Sequence, residues 1–253
     1  MEMLSTTEFW IGLAKIIGVN IVLSGDNAVV IALAARSLPA HQQQKAVMWG
    51  AGAAIVMRIV LTIFAVQLLT LPWLKLVGSV LLFWIGVKLL TEEDGGDDIE
   101  SSDNLMAAIK TILIADLVMS LDNVIAVAAA AGGSMTLLIL GLAISIPLVI
   151  FGATLLLNLM ERYPVIITIG AALIGMVAGE MMVTDIALKD WQASMGMTFG
   201  EDGKPRVGGL SLELMAGVLG AVFVVAYGKW RSQRAAAEKA ARRTPVPAQT
   251  PDP

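Results

Sequence analysis

The chain alternates long apolar blocks with short polar turns. The first block, residues 9–35, is about 27 residues long, and a helix needs only ~20 apolar residues to cross the hydrocarbon core of a bilayer. Six further blocks follow at residues 46–69, 73–90, 105–131, 135–160, 165–183 and 210–227. The pattern predicts an all-α polytopic membrane protein with seven transmembrane helices.

Two of these blocks carry the same polar motif in their interior. The motif Ser-x-Asp-Asn occurs in the first block and returns 96 positions later in the fourth. With the polar residue that precedes each motif, the first copy contains Asn20, Ser24, Asp26 and Asn27, and the second contains Asp116, Ser120, Asp122 and Asn123. Acidic side chains inside a bilayer are costly and usually serve a site. The duplication therefore predicts a two-part binding site.

The similarity between the two halves extends over three spans. A Pro and a Gly recur at matching places in the third and sixth blocks, as Pro72 with Gly78 and as Pro164 with Gly170. The units cover about residues 9–90 and 105–183, and a seventh helix, residues 210–227, follows them. Because each unit has an odd number of spans, the two enter the membrane from opposite sides. We therefore expect two inverted three-helix repeats with a substrate site near the midplane.

The acidic positions at the centre of the two motifs, Asp26 and Asp122, are predicted to meet at that site. Asn20 and Asp116 precede them by six residues, a rotation of about 240° on a regular helix, so an unbroken helix would not aim both members of a pair at one point. A break beside Gly25 would do so and would expose backbone carbonyls to a cavity. The second copy has a leucine at that place, which favours a break less.

Composition narrows the chemistry. The chain is 57% hydrophobic and 15% charged, with a mean hydropathy of +0.79, which is too apolar for an ordinary soluble domain. It has no cysteine and a single histidine, His41, in a polar turn. Thiolate and imidazole-cluster sites are therefore excluded. Because no nucleophile and base pair or cofactor motif occurs, we expect neither an enzyme nor a prosthetic group, and no nucleic-acid partner.

The remaining ligand atoms inside the spans are all oxygens, which suit magnesium, calcium and manganese rather than softer metals. The candidate metal ligands are the carboxylates Asp26, Asp116, Asp122 and Glu180, the amides Asn20, Asn27 and Asn123, and the hydroxyls Ser24 and Ser120. Arg58, in the second block, is predicted to be an internal counter-charge that keeps the empty site neutral.

Several of these residues have a second interpretation. Asn and Ser side chains in membrane spans also bond across helices, at about 0.6 kcal/mol each. Glu180 also fits the outer interface, and Arg58 also fits direct contact with a substrate. The acidic run at residues 92–103 is expected to be a solvated loop, and concentrating cations is the alternative.

Basic residues near the span ends set the orientation, because they accumulate on the cytoplasmic side. The region after the last block contains Lys229, Arg231, Arg234, Lys239, Arg242 and Arg243. The C-terminus is thus predicted to be cytoplasmic and, with seven spans, the N-terminus outside. Residues 1–228 form the predicted transmembrane domain, and residues 229–253 are predicted to be a basic, Pro-rich disordered tail.

The segments 24–32 (SGDNAVVIA) and 116–123 (DLVMSLDN), together with Ala35-Arg36-x-Leu38-Pro39, resemble the TerC family of integral membrane proteins, within the LysE-like transporter superfamily. The resemblance covers about residues 9–227. It implies a seven-span manganese exporter of the bacterial inner membrane, with Asp26, Asn27, Asp122 and Asn123 as the cation site. The resemblance supports Asp116 and Glu180 as cation ligands less directly.

The sequence thus favours export of a hard divalent cation, most simply Mn²⁺, by alternating access of the two halves in a lipid bilayer. Export of a small organic solute, such as a basic amino acid, is a second hypothesis, because an ammonium group would also pair with Asp26 and Asp122. A third is a non-transporting membrane scaffold associated with tellurium resistance. A homodimer is the candidate assembly.

Overall fold

The computed structural model describes residues 7–23, 25–64, 68, 70–91, 101–131, 134–200 and 203–243. These ranges contain nine α-helices. Their bounds are α1 Thr7–Leu23, α2 Gly25–Arg36, α3 Ala40–Ile63, α4 Leu74–Thr91, α5 Ser101–Ala131, α6 Met135–Arg162, α7 Val165–Val183, α8 Lys189–Ser194 and α9 Leu212–Arg243.

Six helices in the described part of the chain are long and apolar enough to cross a membrane. The spans are Ala40–Ile63, Leu74–Thr91, Asn104–Leu121, Met135–Arg162, Val165–Val183 and Leu212–Ala235. The first predicted span corresponds to α1 and α2, of which only Phe9–Val19 qualifies, as a shorter apolar helix. Ser24, between α1 and α2, lies outside the described residues, so the break near Gly25 stays a prediction. In the second copy, α5 runs without interruption through residues 120–122.

Helix α2 lies at the centre of the protein. All of its residues from Asn27 to Ala35 are buried, and it packs against α3, α5, α6 and α7. A helix that is apolar on every face is stable only when it is surrounded, and the alanines of α2 let its neighbours approach. At its end, Arg36 Nη2 donates a hydrogen bond to the Leu89 carbonyl in the last turn of α4, 3.0 Å away. The start of α2, which carries Asp26, is therefore held by a rigid element.

Helices α7 and α9 pack very closely. A Cβ added at Gly179 would lie 2.1 Å from the Ala216 carbonyl oxygen, and one added at Gly175 would lie 2.5 Å from that of Gly220. Small residues let membrane helices approach to backbone contact in this way. The approach also lays the side chain of Glu180 against α9.

Residues 184–200 and 203–211 form a cap segment between α7 and α9. Its elements are a 3-10 helix, Ile186–Leu188, then α8, then the strands β1 Thr198–Phe199, β2 Pro205–Val207 and β3 Leu210–Ser211, which pair antiparallel in that order. The sequence predicted only a water-exposed loop here. Gly208 and Gly209, both with positive φ, make the tight β2–β3 turn that glycine favours.

Helix α9 continues well beyond the predicted span end at residue 227, to Arg243. Residues 229–243 are thus helical rather than a disordered tail, because their Ala, Lys, Glu and Arg residues are strong helix formers. Only residues 244–253 of the predicted tail remain, and they lie outside the described residues.

Candidate functional site

A buried polar network joins α3 to α5. Arg58 Nη2 lies 2.5 Å from Asp116 Oδ1, and Arg58 Nε donates to Ser120 Oγ at 3.0 Å. The Ser120 hydroxyl lies 3.3 Å from Asp116 Oδ2 and donates to it. The three residues are 3%, 4% and 0% exposed. We call this cluster the Arg58 network.

The sequence builds this network with regular helix geometry. Asp116 and Ser120 are four residues apart on α5 and therefore lie on one helix face, and α3 presents Arg58 to that face. A charge buried in this way is tolerated only when it is paired and hydrogen-bonded. The carboxylate of Asp116 is therefore occupied by a neighbour within the protein.

A cavity of about 630 Å³ lies beside this network, under the cap segment. Three predicted site residues line it from three different helices: Asp26 from α2, Asn123 from α5 and Glu180 from α7. All three are half-buried. The cavity therefore offers two carboxylates and one amide to a ligand.

Asp26 lies between the cavity and the Arg58 network. Its Oδ1 accepts a hydrogen bond from the backbone N–H of Asn27 at 2.9 Å, in the first turn of α2, where a helix favours negative charge. The charges of Arg58 and Asp116 are both within electrostatic reach of Asp26. A change of charge in the cavity is therefore felt by the network.

The rest of the cavity wall is charged with both signs. Among its lining residues are Lys75 at the start of α4, Asp185 and Lys189 in the cap segment, and Lys204 with Glu213. The Lys204 ammonium lies 2.6 Å from Glu213 Oε2. The Lys189 ammonium lies over the Phe199 ring, 5.7 Å from its centroid.

Asp185 ties the cap segment to the start of α4. Its carboxylate accepts hydrogen bonds from the backbone N–H groups of Trp73 at 3.0 Å, Leu76 at 2.9 Å and Ala187 at 2.8 Å. Burial alone would raise the pKa of Asp185, but the N–H groups of these residues and of Lys75 outweigh it and lower the pKa below 3.8. Trp73 has a positive φ of 69°, a costly conformation for a bulky residue that these bonds help to hold.

The predicted site residues fall into three groups. Asp26, Asn123 and Glu180 meet around the cavity, whereas Asp116 and Ser120 meet Arg58 in the network. Asn27 is buried in α2, 2% exposed. Asn20 lies in α1 and Asp122 lies in α5, but their side chains are outside the described part of the structure. Ser24 lies wholly outside it. The predicted meeting of Asp26 with Asp122 therefore stays a prediction.

Among the described residues, no group of three or more His, Cys, Asp or Glu side chains is close enough to hold a metal ion. Asp26 and Glu180 are the carboxylates that α2 and α7 bring to the wall of the cavity. A divalent cation in this cavity would also need Asn123, backbone oxygens or water as ligands.

Two cavity residues were missed in the sequence, Lys75 and Asp185. Lys75 lies two residues after the predicted start of its span, where a lysine normally extends toward the interface. Asp185 follows the end of α7 and fits an ordinary loop acid. The sequence signal that could have found them is that both lie at span ends that the predicted topology places on the same side of the membrane as Glu180.

The fold and the cavity together define a helical multi-pass membrane protein with charged groups between its spans. The chain belongs to the TerC family of integral membrane proteins, whose family model matches residues 5–236.

Its relatives include three membrane proteins of Bacillus subtilis (strain 168), each named as an uncharacterized membrane protein. YjbE is 44% identical over 189 residues, which cover 75% of this chain and 87% of YjbE. YceF is 25% identical over 190 residues, 71% of this chain and 74% of YceF. YkoY is 24% identical over 203 residues, 72% of this chain and 62% of YkoY. No solved structure matches the chain significantly.

Proposed function

We propose that this protein exports a hard divalent cation, Mn²⁺ in the first place, through the cavity that Asp26, Asn123 and Glu180 line. The observation that carries the proposal is that residues from three separate helices bring oxygen ligands to one cavity inside an apolar bundle. Oxygen sets with two carboxylates match the charge and hardness of such ions.

The helix contacts support alternating access by two inverted halves. Helix α3 of the first half packs on α5 of the second, and α1 and α2 of the first half pack on α6 of the second. The third helices of the halves, α4 and α7, pack on each other. A two-fold exchange of the halves maps the α3–α5 contact onto the contact of α1 and α2 with α6, and it maps the α4–α7 contact onto itself. In this proposal α1 and α2 together form a seventh span.

The orientation and location belong to the same proposal. The basic residues of α9 after residue 228 favour a cytoplasmic C-terminus, which puts the cap segment and the mouth of the cavity on the outer face of a bacterial inner membrane. In this orientation the structure is an outward-facing state, in which the cavity either opens directly to the outside or is closed there by the cap segment alone. A homodimer is the assembly that we expect in the bilayer.

Transport is tested by measuring intracellular manganese in cells that overexpress the protein. We expect the wild type to lower the manganese content and Asp26→Asn to have no effect, at equal amounts of inserted protein. The matched control is Asp190→Asn, which removes an exposed carboxylate of α8 outside the cavity. Clearance of manganese by Asp26→Asn at the wild-type level would rule the proposal out.

The size and mixed charge of the cavity favour one second candidate. A volume of about 630 Å³ lies within the range of organic-ligand pockets, and lysines face carboxylates across it. A zwitterion such as an amino acid would satisfy both signs. Resistance to toxic amino-acid analogues that depends on Asp26, without any change in manganese content, would favour this candidate.

A further inference from the structure

We propose that Lys75 sets the affinity of the cation site, as an internal cation that competes with the transported ion for Asp26 and Glu180. This inference rests on the proposed cation export. It starts from the charges of the cavity wall, where four acidic and three basic side chains are present among the described lining residues.

Four of these charged side chains belong to the cap segment and the start of α9. Lys204 pairs with Glu213, Asp185 accepts backbone N–H groups, and Lys189 is exposed and lies over Phe199. Lys75 differs from the other two lysines because it is half-buried. Its charge is therefore screened less by water than theirs.

The position of Lys75 is fixed by the fold. It lies in the first turn of α4, where Asp185 binds the neighbouring N–H groups of Trp73 and Leu76. Helix α4 packs directly on α7, which carries Glu180. If the cavity of about 630 Å³ is treated as a sphere, it is about 11 Å across. An ammonium group on its wall therefore acts on any ion inside it.

The charge balance then changes when an ion enters. In the empty cavity, Lys75 offsets the carboxylates of Asp26 and Glu180, which reduces the cost of holding acids inside the bundle. A divalent cation satisfies the same carboxylates, but it is repelled by Lys75 with twice the force that a monovalent ion would experience. Lys75 therefore weakens ion binding and favours release, as an exporter requires.

The test is the affinity of the purified protein for Mn²⁺, read from the electron paramagnetic resonance signal of the free ion. Lys75→Met should tighten the dissociation constant about tenfold, because it removes one positive charge near the ion. Lys75→Arg keeps the charge and should bind as the wild type does. Lys189→Met, at the exposed rim, is the matched control and should change the constant less than about threefold.

Tighter binding separates this role from a structural one, because a damaged fold weakens binding instead. If Lys75→Met and a second variant, Lys75→Gln, bind Mn²⁺ as the wild type does or more weakly, the inference is overturned while the proposed function stands. If the wild type shows no Mn²⁺ binding that depends on Asp26, the proposed function itself fails, and this inference fails with it.

Discussion

The Arg58 network and the cavity place acids in two different environments within the same helical bundle. In the network, Asp116 is 4% exposed and both of its oxygens are bound by Arg58 and Ser120. In the cavity, Asp26 and Glu180 are half-buried and face open volume. An acid enclosed by its partners stabilises the fold, whereas an acid on the wall of a cavity lies where a ligand can reach it.

Asp116 in the second copy occupies the place of Asn20 in the first, and Arg58 compensates its charge. Among the residues that the structure describes, the duplicated sequence therefore provides a cavity-lining acid, Asp26, and a buried ion pair, Asp116 with Arg58. The variants below separate the two roles, in order of the expected loss of folding free energy.

The largest effect is expected from Arg58→Met, which leaves the carboxylate of Asp116 buried without its cation. Removing one partner of a buried ion pair costs about 3–5 kcal/mol. We expect a strongly lowered melting temperature in detergent, or no folded protein, measured by tryptophan fluorescence.

The double variant Arg58→Met with Asp116→Leu tests the cause of that loss. Because it replaces the whole pair with apolar groups, it should recover most of the lost stability. A double variant that is as unstable as the single one would show that Arg58 stabilises the fold by packing and not by its charge.

The second effect is expected from Asp185→Ala, which removes the acceptor for N–H groups of both α4 and the cap segment. Hydrogen bonds to a charged group contribute about 1.5–3 kcal/mol each, but contributions that share one acceptor are not additive, so we expect a loss of about 3 kcal/mol. Asp190→Ala, which removes an exposed acid of α8, is the control and should change stability little.

The pH dependence of the Asp185 contribution has a definite sign. The folded protein lowers the pKa of Asp185 below its ordinary value of 3.8, so the stabilisation is present above that value and is lost as the pH falls through the lowered pKa. The difference between the wild type and Asp185→Ala should therefore shrink on acidification. A difference that grows at acid pH would contradict the lowered pKa.

Most of the fold could be predicted from the sequence, because span length and hydropathy decide where membrane helices run. The sixth predicted span coincides with α7, residues 165–183. The second predicted span, residues 46–69, was misplaced, because the helix α3 already begins at Ala40, next to Pro39. The first turns of α3 include a run of glutamines that the hydropathy pattern assigned to a polar turn. A polar first turn outside the bilayer costs nothing, so hydropathy cannot locate such an end.

The site was predictable only where an acid or amide interrupts an apolar span. Asp26, Asn123 and Glu180 were found in that way. Lys75 and Asp185 lie at span ends, where charge is ordinary, and only the packing of α4 against α7 brings them to the cavity. Asp116 was found as an acid, but its pairing with Arg58 depends on how α3 and α5 pack.

The same substitution, aspartate to asparagine, made once in the Arg58 network and once in the cavity, sharpens the comparison between the two. Asp116→Asn should cost about 3 kcal/mol, since it leaves the guanidinium of Arg58 buried without its counter-charge. Asp26→Asn should change the melting temperature little or raise it, because functional acids are commonly held at a cost to stability. Equal losses for both, measured by the same fluorescence melt, would remove the distinction between the network and the cavity.

Among the variants that are expected to lose stability, the smallest loss is expected from Lys204→Ala, at the rim of the cavity. The Lys204 side chain is 47% exposed and that of Glu213 is 19% exposed, and exposed ion pairs contribute about 0.2–1 kcal/mol, less at high salt. We therefore expect a loss below about 0.5 kcal/mol that disappears in high salt. Glu213→Gln should behave in the same way, because the pair loses its attraction whichever partner is changed. A loss of several kcal/mol that persists in high salt would mean that this pair holds the cap segment in place. The rim would then resemble the Arg58 network more than the open cavity that it borders.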